Sequence, residues 1–125
     1  DFSIVTEQGD ITDIVLETPG YTLLVISHKL EKVATNAIPQ VNQILSWAEQ
    51  HDIACYWLTS SYQDQVDAFR QRYQVTIPFG ATDDITLKTI IRANPGLVLL
   101  RQGTVVAKWH CNQLPELSEI NQIIN

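Results

Sequence analysis

Two continuous apolar runs, Tyr21 to Ser27 (YTLLVIS) and Ile53 to Leu58 (IACYWL), constrain this chain more than any other feature. A strand that is apolar at successive positions, not alternate ones, has to be covered on both faces. Between the runs, apolar residues recur at Leu30, Val33, Ala34, Ala37, Ile38, Val41, Ile44, Leu45 and Ala48, the spacing of one helix face over roughly five turns. A strand, a helix and a second strand in that order pair in parallel through a right-handed crossover. Pro39 lies inside the stripe, so it either kinks the helix or marks its true start, with Thr35 or Asn36 as the cap.

Ser60-Ser61 reads as the cap of a second helix, with Tyr62, Val66, Phe69 and Tyr73 on one face. Val75 to Phe79 is a short third strand limited by Pro78. Thr82 or Asp83 then caps a helix carrying Ile85, Leu87, Ile90 and Ile91, which Asn94-Pro95 breaks. Leu97 to Arg101 and Thr104 to His110 flank Gln102-Gly103 as a β-hairpin, and Pro115 opens a closing helix with Leu117, Ile120 and Ile124 inward. Ahead of Tyr21, the alternating Phe2–Val5 and the irregular Ile11–Leu16 predict one or two short edge elements, with Gly9-Asp10 as the turn between them. From Tyr21 the order is β-α-β-α-β-α-β-β-α, an α/β domain with a mixed sheet covered by helices. With no internal repeat or low-complexity linker, residues 1–125 are expected to form one domain, of which 1–17 is an N-terminal edge extension.

The charge balance narrows the partners. A net charge of −6 leaves eight Lys and Arg, scattered along the chain and not striped on one face, so nucleic acid is excluded as a partner and anionic membrane surfaces are disfavoured. No apolar run approaches the roughly 20 residues of a membrane-spanning helix, so the domain itself reads as soluble. The two cysteines, Cys55 and Cys111, are too few for a disulfide scaffold and too far apart for a CxxC motif or zinc knuckle.

The stretch Ile91–Val106, IRANPGLVLLRQGTVV, together with this element order, resembles the thioredoxin superfamily. In that family a residue-plus-proline pair with a cis peptide bond precedes the hairpin, and a glycine turn separates its strands; Pro95 and Gly103 match. The βα unit between Val75 and Arg92 is similar to the one that TlpA- and peroxiredoxin-type proteins insert before the proline. Ile38-Pro39 matches a pair found shortly after the TlpA-type CxxC. The resemblance implies a thioredoxin-like fold and, by the TlpA spacing, places the two cysteines of the motif at Glu31 and Ala34, where this chain has none. Dithiol exchange needs a low-pKa thiolate and a second, resolving thiol, so a non-catalytic scaffold is expected, with no cofactor. Glu31, Ala34, Asn94 and Pro95 are then the degenerate redox positions, and His28, Lys29, Asn94 and Pro95 a groove for a protein or peptide partner. GDITDIVL, GYTLLVIS, KLEK and IIRANPGLVLLRQGTVVAKWH are also similar to the soluble C-terminal module of DoxX-type bacterial membrane proteins. That resemblance implies a domain tethered to upstream membrane helices, on the periplasmic side of the envelope, and accords with a chain beginning at Asp1.

Other chemistry has plainer explanations. Glu31 and Lys32 as an acid–base pair compete with a solvated helical turn, which is favoured. His28, His51 and His110 show no two-histidine ligand spacing, so no metal is expected. Trp57 reads as core, whereas Trp47 and Trp109 read as partly exposed rings on separate elements. The rival enzymatic reading is a thiol oxidoreductase using Cys111 or Cys55 alone. Cys55 lies mid-strand as a small apolar residue, and in the family's sheet order two strands separate it from Cys111, roughly 14 Å, beyond disulfide reach. Two free thiols are expected, Cys111 the more accessible. A small-ligand carrier with a pocket between His28, Glu31 and Asn94 is a third reading.

Overall fold

A computed structural model describes residues 2–125. Its strands are β1 (Val5–Thr6), β2 (Gly9–Asp10), β3 (Tyr21–Ser27), β4 (Ala54–Thr59), β5 (Phe79–Ala81), β6 (Gly96–Arg101) and β7 (Thr104–His110). Its helices are α1 (Thr12–Glu17), α2 (Ile38–Gln50), α3 (Gln63–Tyr73), α4 (Asp84–Ile90) and α5 (Leu117–Ile124). The strands form a single mixed sheet in the order β2-β1-β5-β4-β3-β6-β7. β3, β4 and β5 are parallel, as helical crossovers require, and β6 and β7 add as an antiparallel hairpin. Gln102 (φ 47°) and Gly103 (φ 82°) both take left-handed backbone in its two-residue turn, the geometry that suits the twist of the flanking strands.

The two apolar runs are covered on both faces. Along β3, Leu23 and Val25 enter one core with Ile44 and Leu45 of α2, Val66 and Phe69 of α3, and Ile120 of α5. Leu24 and Ile26 enter a second core with Val15 of α1 and Leu87 of α4. Trp57 is fully buried on β4 between Phe69 and Phe79, and its indole N–H donates to Ser27 Oγ at 2.9 Å. No helix among the described residues is long and apolar enough to cross a membrane.

Several elements differ from the sequence expectation. The helical stripe does not begin at Leu30: two 3₁₀ turns, Leu30–Lys32 and Thr35–Ala37, precede α2, and Pro39 stands in its first turn, where a missing N–H costs nothing. Neither Thr35 nor Asn36 caps it; the N-cap is Ala37, with no side-chain bond. Ser60 and Ser61 do not cap α3 either. Tyr62 is the N-cap, and its N–H donates to Gln65 Oε1. The third strand begins after Pro78 instead of ending there, and Ile85 is 74% exposed while Leu87 is wholly buried. At the N-terminus Gly9-Asp10 is a strand and not a turn, and Ile11–Leu16 falls largely in α1. Asp10 organises that change: its carboxylate accepts from the Thr12 N–H and hydroxyl, and Thr12 Oγ1 accepts from the Ile4 N–H at 2.9 Å. The two donors from Thr12 hold the Asp10 carboxyl below its ordinary range. Pro115 lies two residues ahead of α5, which starts after Glu116.

Candidate functional site at the strand ends

The parallel strands β3, β4 and β5 finish at the same end of the sheet, where β6 begins and β7 finishes. His28, Ser60 and Thr82 follow the parallel strands, and Asn94-Pro95 leads into β6. The Asn94–Pro95 peptide bond is cis. Asn94 joins both sides of the adjacent loop: its Nδ2 donates to the Lys29 carbonyl at 2.7 Å, and its own carbonyl accepts from the Ala34 N–H at 2.9 Å. Ser61 Oγ accepts from the Leu30 N–H at 2.9 Å, the Ser60 hydroxyl donates to the His28 carbonyl at 2.5 Å, and Gln65 Nε2 donates to Glu31 Oε2 at 3.4 Å. Ala34, Asn94 and Pro95 are therefore gathered with His28 and Lys29 into one place, with Glu31 exposed beside them.

Asn94 and Pro95 are buried, and His28 and Lys29 are half-buried. The Lys29–Ala37 segment packs over this end of the sheet: its Leu30, Val33 and Ala37 side chains are buried while its backbone bonds to Asn94. His28 Nδ1, Thr82 Oγ1 and Asn94 Oδ1 are buried without hydrogen-bond partners among the described residues. Burial lowers the His28 pKa, with Lys88, Lys32 and Lys29 acting in the same direction and Asp84 opposing them. Asp84 is itself held below its ordinary range by Lys88, 3.1 Å away. The bonds of Ser60 and Ser61 to this loop were missed in sequence; a serine pair after a buried strand gives only a capping signal, and their partners stand about thirty positions earlier.

No protein-family model matches the chain, and no curated protein sequence does. Solved structures do match. A proposed protein disulfide isomerase from Bacteroides thetaiotaomicron superposes with a TM-score of 0.73 at 21% identity, covering 100% of this chain and 84% of its own. A thiol-disulfide oxidoreductase from Bacteroides fragilis gives 0.71 at 11% identity, covering 98% of this chain and 96% of its own. StoA from Bacillus subtilis gives 0.63 at 13% identity, with 98% and 95% covered. The fold is thioredoxin-like.

Within this thioredoxin-like fold the two cysteines are free and stand apart, with β3 and β6 between their strands. Cys55 is buried, and burial, helped by Glu49, pushes its thiol up to about 12, where it is neither a nucleophile nor a ligand at neutral pH. Cys111 is half-buried, just beyond the end of β7, with its Sγ 3.6 Å from His110 Nδ1. That nitrogen already accepts from the Asn112 N–H at 3.1 Å. Among the described residues no group of three or more His, Cys, Asp and Glu is arranged to hold a metal ion. A groove lies at the β1/β5 end of the sheet, with Val5, Ile11, Tyr56 and Phe79 among its lining residues.

Proposed function

We propose that this is a non-catalytic thioredoxin-fold domain that serves as a protein-interaction or accessory module. One observation carries the reading: where a thiol pair would stand, the loop holds Glu31 and Ala34, and the Ala34 N–H is spent on the Asn94 carbonyl. An insulin-reduction assay driven by dithiothreitol tests it. Turnover indistinguishable from that of a cysteine-free variant is the expected result, and robust turnover above that variant overturns the reading.

Residues 1–125 act as one domain in this proposal, with 1–17 as its edge extension, attached to the membrane helices of a DoxX-type protein on the periplasmic side of a bacterial envelope. Support comes from the resemblance of GDITDIVL, GYTLLVIS and IIRANPGLVLLRQGTVVAKWH to that module. The encoding gene tests the tether: apolar helices are expected immediately upstream of Asp1. The single-cysteine alternative has one favourable observation, the nearness of Cys111 Sγ to His110 at the strand ends. It requires rapid alkylation of Cys111 by iodoacetamide at neutral pH, and slow labelling of both cysteines counts against it.

A further inference from the structure

Part of the sheet's backbone is left open at the β1/β5 edge. β1 pairs with β5 at one position only, Val5 with Ala81, before the chain turns back into β2. On the other side of β5, the Pro78 carbonyl accepts from the Trp57 N–H at 3.0 Å and the Thr82 N–H donates to the Thr59 carbonyl at 3.0 Å. Hydrogen-bonding directions alternate along a strand, so the N–H and C=O of Phe79 point away from β4, toward the outer edge. Among the described residues they have no backbone partner, because the segment that would stand opposite has already turned at Glu7-Gln8. A groove of about 780 Å³ runs along this edge, within the size range of binding clefts. Ile11, Ile14 and Tyr56 line it toward α1, and Val66 and Arg70 toward α3. Val5 and Ile14 are 47% and 61% exposed at its margins.

Among the described residues Arg70 is the one basic residue lining the groove, on the α3 side, and the acidic Glu7 lines it next to β1. Arg70 Nη1 donates to the Ile77 carbonyl at 2.9 Å and its guanidinium lies over the Phe79 ring, 4.8 Å from the centroid. No carboxylate among the described residues pairs with it, in a chain whose net charge is −6. We propose that this edge binds an extended partner segment as an added strand paired to Phe79, with apolar side chains turned toward Ile11 and Ile14 and an acidic side chain toward Arg70. A strand sends alternate side chains to opposite faces, so an alternating apolar–acidic sequence satisfies both walls at once. The proposal rests on reading the domain as an interaction module and gives that module a surface along β5, which reaches Thr59 and Ser61 at the strand ends.

The probe is a capped five-residue peptide of alternating valine and glutamate, titrated into the isotope-labelled protein. Amide exchange at Phe79 is expected to slow about tenfold at saturation, since a newly paired edge amide is protected. Replacing the glutamates by lysine, or making Arg70→Gln, is expected to weaken binding about fivefold, the scale of one exposed ion pair. Ile14→Ser alters a side chain that is already largely in solvent, and it provides a second weakened variant that keeps the fold. Unchanged exchange at Phe79, or equal binding of the lysine peptide, overturns the proposal. Perturbation confined to Lys29 and Gly96 overturns it too, yet leaves the module reading standing, whereas insulin turnover would remove that reading without touching peptide binding.

Discussion

Cys55 shows how one buried atom fixes what its residue can do. Its thiol donates to the Ile53 carbonyl at 3.4 Å from inside an apolar strand, and the same burial that makes it inert ties stability to alkaline pH. The folded-state pKa is raised from 9.0 to about 12, so the contribution is intact below the unfolded thiol's pKa and is lost as pH rises toward the folded value. The unfolded chain then holds fewer protons than the native one, and unfolding is favoured by about 1.4 kcal/mol per pH unit across that window. Urea unfolding of the wild type and Cys55→Val at pH 8 and pH 10 should show the wild type losing more stability than the variant. Parallel losses in the two proteins would refute the assignment. His28 has the opposite sign: its lowered pKa makes stability fall as pH drops below its ordinary value of 6.5, until the folded imidazole itself protonates.

At the scale of elements, the contact that seats the N-terminal segment is a missing side chain. A Cβ added at Gly80 of β5 would stand 2.5 Å from Ile4 Cγ2 and 3.1 Å from Leu58 Cδ2, both in the fully buried second core. Gly80→Ala is therefore expected to cost about 1–3 kcal/mol by overpacking, with part of that recovered in a double variant with Ile4→Ala. A change under about 0.5 kcal/mol in chemical unfolding, or no coupling between the sites, would mean that Ile4 simply yields. The strands that carry this core were legible in YTLLVIS and IACYWL because burial on both faces leaves a local mark. The hairpin was legible from Gln102-Gly103 for the same reason. The start of α2 was not: Leu30 and Val33 keep helical spacing with Ile38 and Val41 because all four reach the same core, while the backbone ahead of Ile38 makes two 3₁₀ turns separated by extended residues. That Asn94-Pro95 stands beside the loop after β3 was expected from the resemblance. The bonds that join them were not legible, since Asn94 links to Lys29 and Ala34, some sixty positions away in the chain.

For the whole molecule, the edge extension is part of the structure and not an appendage. Ile4, Ile11 and Val15 supply three of the nine buried residues of the second core, packed against Leu24, Ile26 and Leu58 of the central strands. At about 1.5–3 kcal/mol for each such side chain, their loss is comparable to the entire stability of an ordinary domain. Deleting residues 1–17 should therefore abolish cooperative unfolding and the dispersion of amide resonances; a truncated chain that keeps both would show that the first core suffices. The bond from the Trp57 indole to Ser27 has a consequence of another kind. Trp57 is enclosed while Trp47 and Trp109 are half-buried, so the protein's emission should contain a blue component that dissolved iodide does not quench and a redder one that it does. Ser27 precedes His28, and the enclosed fluorophore thus gives an unlabelled optical signal from the end of β3, against which any rearrangement of the covering loop could be followed in real time.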